Sequence, residues 1–333
     1  MRSVDVRVDV SGATGLGGDP FTMSTVHLPD ILEGPTPVIF AYPGAGYSRG
    51  YYDIGGAPTY SQAAFHTEHG AIVVANDHLF VGGSFVGDPF DATYENVAAA
   101  NDATARTILD HLQTGLLPGI GRPTDVGAVE VLRTVGIGQS MGGCFLTVQQ
   151  ANHRTFDGVA FLGWSGIETN FPSPDGSRLV FPAPPRGTDL RPLAQDLAGL
   201  GAEVVQHYEY CFHWPDEYAL LRKADLDAYD PTSGRVRGDA SCPWGSATTP
   251  GCAFTMVQPG TVASEAAQID VPVLSASGER DVLPDPWAEP TAYRSSTDVT
   301  IAVFSRMAHM HNFADTRELL WKRLEGWMTT IGS

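Results

Sequence analysis

Between the apolar run Leu132-Arg133-Thr134-Val135-Gly136-Ile137 and the helical run Cys144-Phe145-Leu146-Thr147-Val148-Gln149-Gln150-Ala151, the chain places Gly138-Gln139-Ser140-Met141-Gly142-Gly143. The flanks read as a strand and a helix, so the glycine-rich piece between them is a sharp turn with a serine at its tip. Gly138 and Gly142 remove side chains where strand and helix meet, and Gly143 lets the helix approach the sheet closely. A serine hydroxyl is a poor nucleophile at neutral pH, so chemistry at Ser140 requires exposure, a neighbouring base and donors for a developing oxyanion. The turn supplies the exposure, and it aims the first free N–H groups of the helix, including that of Met141, at the space above Ser140.

The other strands and helices follow from periodicity. Val4-Asp5-Val6-Arg7-Val8-Asp9-Val10 alternates strictly and, with Met23 to Pro29, reads as antiparallel strands at a sheet edge. Continuous apolar runs follow at Pro37 to Tyr42 and Ala71 to Ala75, then at Gly158 to Trp164, Val271 to Ser277 and Val299 to Phe304. Such runs suit strands covered on both faces. Helices are expected around Thr59 to His69, over Tyr94 to Leu112, near Trp287 to Arg294 and over the closing segment, where Asp315 and Glu318 have the D-x-x-E form of a capping box. Strands alternating with helices at these lengths predict an α/β chain with a mostly parallel sheet and an antiparallel start. Asp77 to Ser84 reads as loop, and from about Ile167 to Ile269 the alternation lapses into a stretch rich in Pro, Gly and aromatic residues, with short helical patches such as Asp216 to Asp227.

Charge and cysteine content exclude several classes of function. With 38 acidic against 20 basic residues the formal charge is −18, which repels polyanions, so nucleic acid is a poor partner. No run of 18 apolar residues occurs, and the polar opening Met1-Arg2-Ser3-Val4-Asp5 does not read as a signal peptide. As written, the chain reads as cytoplasmic, and a secreted form would require that a leader had been removed. Four cysteines are too few for a disulfide scaffold and lack metal-ligand spacing; Cys242 and Cys252 flank a loop that a disulfide would close in an oxidising compartment.

Partners for Ser140 should stand just past strand ends, where functional groups gather in a parallel sheet. Of ten histidines, His309 and His311 follow directly from a predicted strand and precede a helix. An acid to hold the imidazole is offered by Asp281, at the end of the preceding strand, with Glu279 and Asp285 as alternatives.

The order serine, acid, histidine, each just past a strand, resembles the α/β-hydrolase superfamily. Gly138 to Gly142 resembles its nucleophile elbow, and Gly278 to Asp281 its G-x-x-D turn. His311-Asn312-Phe313-Ala314 is similar to the H-x-F segment of dienelactone-hydrolase-like members, which puts His311 ahead of His309, although Ala308-His309 also resembles the family's small-residue-then-His form. Pro43-Gly44-Ala45-Gly46 resembles the oxyanion loop, departing from the commoner His-Gly opening at Pro43, and implies that the N–H groups of Ala45 and Met141 form the oxyanion hole.

The resemblance implies an α/β-hydrolase fold: a mostly parallel sheet with antiparallel N-terminal strands, helices on both faces, a core of residues 1–166 and 270–333, and a cap or lid insertion at 167–269. It further implies a serine hydrolase that cleaves a carboxylic ester of a small, apolar molecule through an acyl-enzyme, with no cofactor and no metal. A cofactor-free lyase, a perhydrolase, a thioesterase or a peptidase would use the same residues, and a non-catalytic ligand-binding member would lack part of the triad. The aromatic stretch Tyr208 to Trp214 could line a substrate pocket, with Tyr47, Tyr210, His213 and Trp214 as candidates, or serve the insertion's own packing.

Overall fold

The computed structural model describes residues 1–55, 59–197, 199, 207–229 and 242–332. Eight strands build its main sheet: β1 (Arg2–Asp9), β2 (Phe21–Leu28), β3 (Thr36–Tyr42), β4 (Ile72–Asp77), β5 (Val131–Gln139), β6 (Gly158–Leu162), β7 (Val273–Arg280) and β8 (Val299–Ala308). Their spatial order is β1-β2-β4-β3-β5-β6-β7-β8. β2 pairs antiparallel with both β1 and β4, and every other pairing is parallel. The antiparallel start expected from the alternation in Val4 to Val10 is therefore present.

The apolar runs divide their side chains between two cores. In β3, Val38, Phe40 and Tyr42 point into one buried cluster, while Ile39 and Ala41 point into the other; in β4, Ile72 and Val74 take the first and Val73 and Ala75 the second. A period of two in a run with no polar face requires cover on both sides. Each fully buried Val, Ile or Phe in these layers contributes about 1.5–3 kcal/mol of transfer free energy.

Among the described residues the α-helices of five or more residues are α1 (Gln62–Glu68), α2 (Tyr94–Thr114), α3 (Met141–His153), α4 (Tyr208–Phe212), α5 (Ala219–Ala228) and α6 (Arg317–Met328). α2 starts on a reciprocal capping box between Thr93 and Asn96 and stops at Gly115, whose φ of 79° is left-handed. Two local expectations differ from what is found. Asp315 does not cap α6: Thr316 holds the N-cap position with no side-chain bond, because the Asp315 carboxylate accepts from the Tyr60 hydroxyl at 3.2 Å. Around Trp287 there is a 3-10 turn, Pro286–Thr291, with Pro290 inside it, where a missing N–H prevents an α-helical ladder.

Between β6 and β7 the described segments carry short elements that fold back over the C-terminal ends of the strands. Ser48 N donates to Trp244 O at 2.7 Å and Ser246 N to Gly46 O at 2.8 Å, while His309 N and Met310 N donate to Cys211 O and Phe212 O at 3.1 and 2.9 Å. The polypeptide after β3 and the polypeptide after β8 are thus both bonded to this segment. Cys252 keeps a free thiol and belongs to the core cluster opposite that of Cys242, so the loop between them is not closed by a disulfide. Among the described residues no helix is long and apolar enough to cross a membrane.

Candidate active site

Strands β5, β6, β7 and β8 run parallel side by side, so their C-terminal ends share one edge of the sheet. Ser140 follows β5, Gly163 follows β6, Asp281 follows β7 and His309 follows β8. This ordering brings together groups that are up to 169 residues apart in sequence.

Ser140 has φ 51° and ψ −119°, a conformation that L side chains rarely adopt. Holding it there stores on the order of 1–3 kcal/mol of backbone strain. Its N–H donates to Leu162 O at 2.9 Å, and its carbonyl accepts from Gly143 N at 2.8 Å, so the neighbouring strand β6 and the helix after it fix the turn together. The glycines supply the clearance. A Cβ on Gly142 would lie 2.2 Å from Tyr42 O, one on Gly138 would lie 2.6 Å from the backbone of Gly142, and one on Gly143 would lie 2.5 Å from Trp164 Cβ. Gly142→Ala should therefore destabilise the fold by at least about 3 kcal/mol, since the obstruction is backbone that cannot rotate away. Gly12→Ala, where nothing stands within 4 Å, is the matched control in thermal melting.

The loop after β3 approaches the same turn. A Cβ on Gly44 would lie 3.1 Å from Ser140 Cβ and 2.2 Å from Gln139 Oε1, so only glycine permits this closeness. Among the described residues the Ala45 N–H has no backbone acceptor. Met141, as the first residue of α3, has no carbonyl one turn back to which it could donate. His78, which the composition had placed in a loop, buttresses this segment. Its Nε2 lies 3.2 Å from Pro43 O and its Nδ1 lies 3.0 Å from Asn101 Nδ2, which assigns the proton to Nε2. Burial pushes His78 down to about 4, so it stays neutral in this role. Its position follows from the register: β4 pairs parallel with β3, Ala75 opposite Ala41, so the residue just past β4 lies beside the turn after β3.

Asp281 is fully enclosed and accepts four hydrogen bonds. Oδ1 takes His309 Nδ1 at 2.6 Å and Val282 N at 2.7 Å, and Oδ2 takes His311 Nε2 at 2.7 Å and Gly278 N at 2.8 Å. Burial alone would raise this carboxyl, but the two imidazoles outweigh it and hold the group well below the usual carboxylate range. Glu279 and Asp285, the alternatives, are engaged elsewhere: Glu279 accepts from Arg306 N at 2.9 Å, and Asp285 caps the turn at Trp287 N at 3.0 Å.

The two histidines present different nitrogens. His309 spends Nδ1 on Asp281, and its Nε2 faces Gln139, the residue before Ser140, whose Nε2 lies 3.5 Å from it and 3.2 Å from His309 O. His311 spends Nε2 on Asp281, and among the described residues its buried Nδ1 has no partner. Gly163, at φ 61°, leaves room for the contact between His309 and Asp281: a Cβ there would lie 2.9 Å from His309 Nδ1 and 3.1 Å from Asp281 Oδ1.

The expected pocket residues sit differently from one another. Tyr47 and His213 are buried and saturated: Tyr47 donates its hydroxyl to Asp225 Oδ2 at 2.7 Å, and His213 bridges Glu217 Oε2 at 2.6 Å and Asp225 Oδ2 at 2.9 Å. Tyr210 and Trp214 both lie against the Arg280 guanidinium, 4.0 and 4.8 Å from its carbon. Tyr210 and Trp214 thus pack on a side chain of β7, and His213 and Tyr47 meet at the same Asp225 carboxylate. Among the described residues no group of three or more His, Cys, Asp or Glu side chains is disposed to hold a metal ion.

No family model and no curated relative matches the chain. Solved structures do. A thermophilic esterase from Thermogutta terrifontis superposes with a TM-score of 0.62 at 13% identity over 100% of both chains. The chain carries the α/β-hydrolase fold. An esterase from Exiguobacterium antarcticum (TM-score 0.59, 15% identity, 93% of this chain and 96% of that one) is a second α/β-hydrolase neighbour. An enol-lactonase from Burkholderia xenovorans LB400 is a third (TM-score 0.59, 15% identity, 93% and 97%). Identities this low speak for the α/β-hydrolase architecture, and the chemistry has to be argued from the side chains.

Proposed function

We propose that the chain is a serine hydrolase cleaving a carboxylic ester of a small molecule through an acyl-enzyme. In this reading His309 Nε2 takes the Ser140 hydroxyl proton as Oγ attacks the ester carbonyl, and Asp281 supports the imidazolium through Nδ1. The N–H groups of Ala45 and Met141 hold the oxyanion. The tetrahedral intermediate collapses, the C–O bond to the alcohol breaks, and the proton on His309 goes to the departing alcohol. Water, deprotonated by His309, then releases the acid and restores Ser140. No cofactor takes part in these steps.

The observation that carries the reading is the orientation of His309: Nδ1 is held by a carboxylate at 2.6 Å, while Nε2 faces the residue that precedes Ser140. It also leads us to favour His309 as the base over His311, which the H-x-F resemblance had put first. His311 has Nε2 bonded to Asp281 and Nδ1 enclosed without a partner among the described residues, whereas His309 Nε2 lies beside Gln139. Residues 167–269 act in this reading as a cap over the site. The bonds from Ser48, Ser246, His309 and Met310 support a cap that is fixed to the loops around Ser140.

The test is covalent. A fluorophosphonate probe followed by peptide mapping should label Ser140 and no other residue, and the label should vanish in His309→Ala. Labelling at another serine, or undiminished labelling without His309, removes the reading. Oxygen-ester, thioester and amide substrates compared by kcat/KM then rank the leaving group.

A further inference from the structure

Asp281 is more heavily bonded than a carboxylate that only orients one histidine needs to be. Its two oxygens offer about four lone-pair sites, and all four are taken, by two backbone N–H groups and two imidazoles. The fourth donor is the unusual one. His311 is itself clamped in place: its neighbour Asn312 donates its N–H to Tyr51 Oη at 3.1 Å and its Nδ2 to Tyr51 O at 3.0 Å, and accepts from Trp321 Nε1 at 2.9 Å. The enclosed Nδ1 has no partner among the described residues, so the bond from Nε2 to Asp281 is the polar contact this ring makes. A substantial set of interactions thus delivers one N–H to Asp281 Oδ2.

We infer that His311 is a positioning residue for the triad: its Nε2–H locks the Asp281 carboxylate by Oδ2 so that Oδ1 is presented to His309, and by drawing charge from the carboxylate it sets how strongly His309 holds a proton. This rests on the reading of Ser140 and His309 as nucleophile and base. A carboxylate sharing its charge among four donors stabilises an adjacent imidazolium less than one with three. His311 therefore keeps the base unprotonated, and the enzyme active, to lower pH than a triad without it. Other titratable groups face the cluster. Tyr51, from the segment after β3, and Cys211, in α4, are both pushed up by burial and stay neutral in the working range. Arg178 donates to the Asp281 backbone carbonyl at 3.0 Å and leaves the carboxylate alone. Arg280 is drawn toward Tyr210 and Trp214. His213 lies beyond the Phe313 ring, paired with Glu217 and Asp225.

The experiment is the pH profile of kcat/KM on a p-nitrophenyl ester for the full chain and for His311→Phe, His311→Gln and His309→Gln. Losing one hydrogen bond to a charged acceptor should move the acid limb of His311→Phe upward by about one pH unit. His311→Gln, which places an amide N–H near the position of Nε2, should bring the limb back toward that of the parent. His309→Gln should be inactive throughout. If His311→Phe keeps the parental limb and only melts at a lower temperature, His311 is structural and the inference falls while the triad reading stands. If His311→Gln is inactive and His309→Gln turns over, the base has been misassigned and the triad reading falls as well.

Discussion

Ser140→Ala is expected to lower turnover of a p-nitrophenyl ester by about 10⁴- to 10⁶-fold, the range seen when a serine nucleophile is removed from an otherwise intact site. The fold should be untouched, because Ser140 is held by backbone bonds: its N–H to Leu162 O and its carbonyl to Gly143 N. Ser140→Gly sharpens the result. Glycine adopts φ near 51° without a Cβ penalty. That variant should be as inactive as Ser140→Ala yet more stable than the parent by about 1 kcal/mol, because it releases strain stored for function. Thermal melting and initial rates on the same preparations check both halves. Full turnover in either variant would remove Ser140 from the chemistry.

The second large effect is expected far from the serine. Asp225→Ala should destabilise the chain by about 3–5 kcal/mol, the cost of leaving several buried donors without their acceptor. Asp225 Oδ2 accepts from the Tyr47 hydroxyl and from His213 Nε2, and Oδ1 accepts from Trp244 Nε1 at 2.7 Å. Its loss strands three donors in the interior. The same cluster gives the chain a pH dependence. Burial alone would lower His213, but the carboxylates of Asp225 and Glu217 outweigh it and raise the group to about 9. An imidazole raised in the folded state contributes stability that is fully present below its ordinary value of 6.5 and is lost as pH rises through about 9. The parental melting temperature should therefore fall between pH 7 and pH 10. In His213→Gln, which cannot gain or lose that proton, the slope across this window should disappear; an unchanged slope would assign it to other groups.

The strands were legible because runs such as Val38 to Tyr42 are apolar on both faces, and the turn at Ser140 because Gly-x-Ser-x-Gly stands between an apolar run and a helical one. Asp281, His309 and His311 were on one shortlist from their positions past strand ends, and the structure brings all three into hydrogen-bond contact. The roles of the two histidines were not legible: they are two residues apart, and which ring nitrogen meets the carboxylate depends on backbone turns that no periodicity encodes. Asp225 was hidden for another reason. It lies in a helical patch that reads as surface, and only the spacing of Leu221, Asp225 and Ala228, buried on one face of α5, signals that this carboxylate points inward. The capping box at Asp315 failed because a tertiary partner, Tyr60, competes for the same carboxylate.

The bonds that join Trp244 and Ser246 to the segment after β3, and Cys211 and Phe212 to the segment after β8, tie the stretch between β6 and β7 to the loops around Ser140. Gly50 reinforces this, since a Cβ there would lie 2.5 Å from Pro243 O. An exchangeable module can be replaced wholesale to alter substrate range. Here a graft would carry away the acceptors for Ser48, His309 and Met310, so changes to this segment have to proceed by single side chains on an unaltered backbone trace.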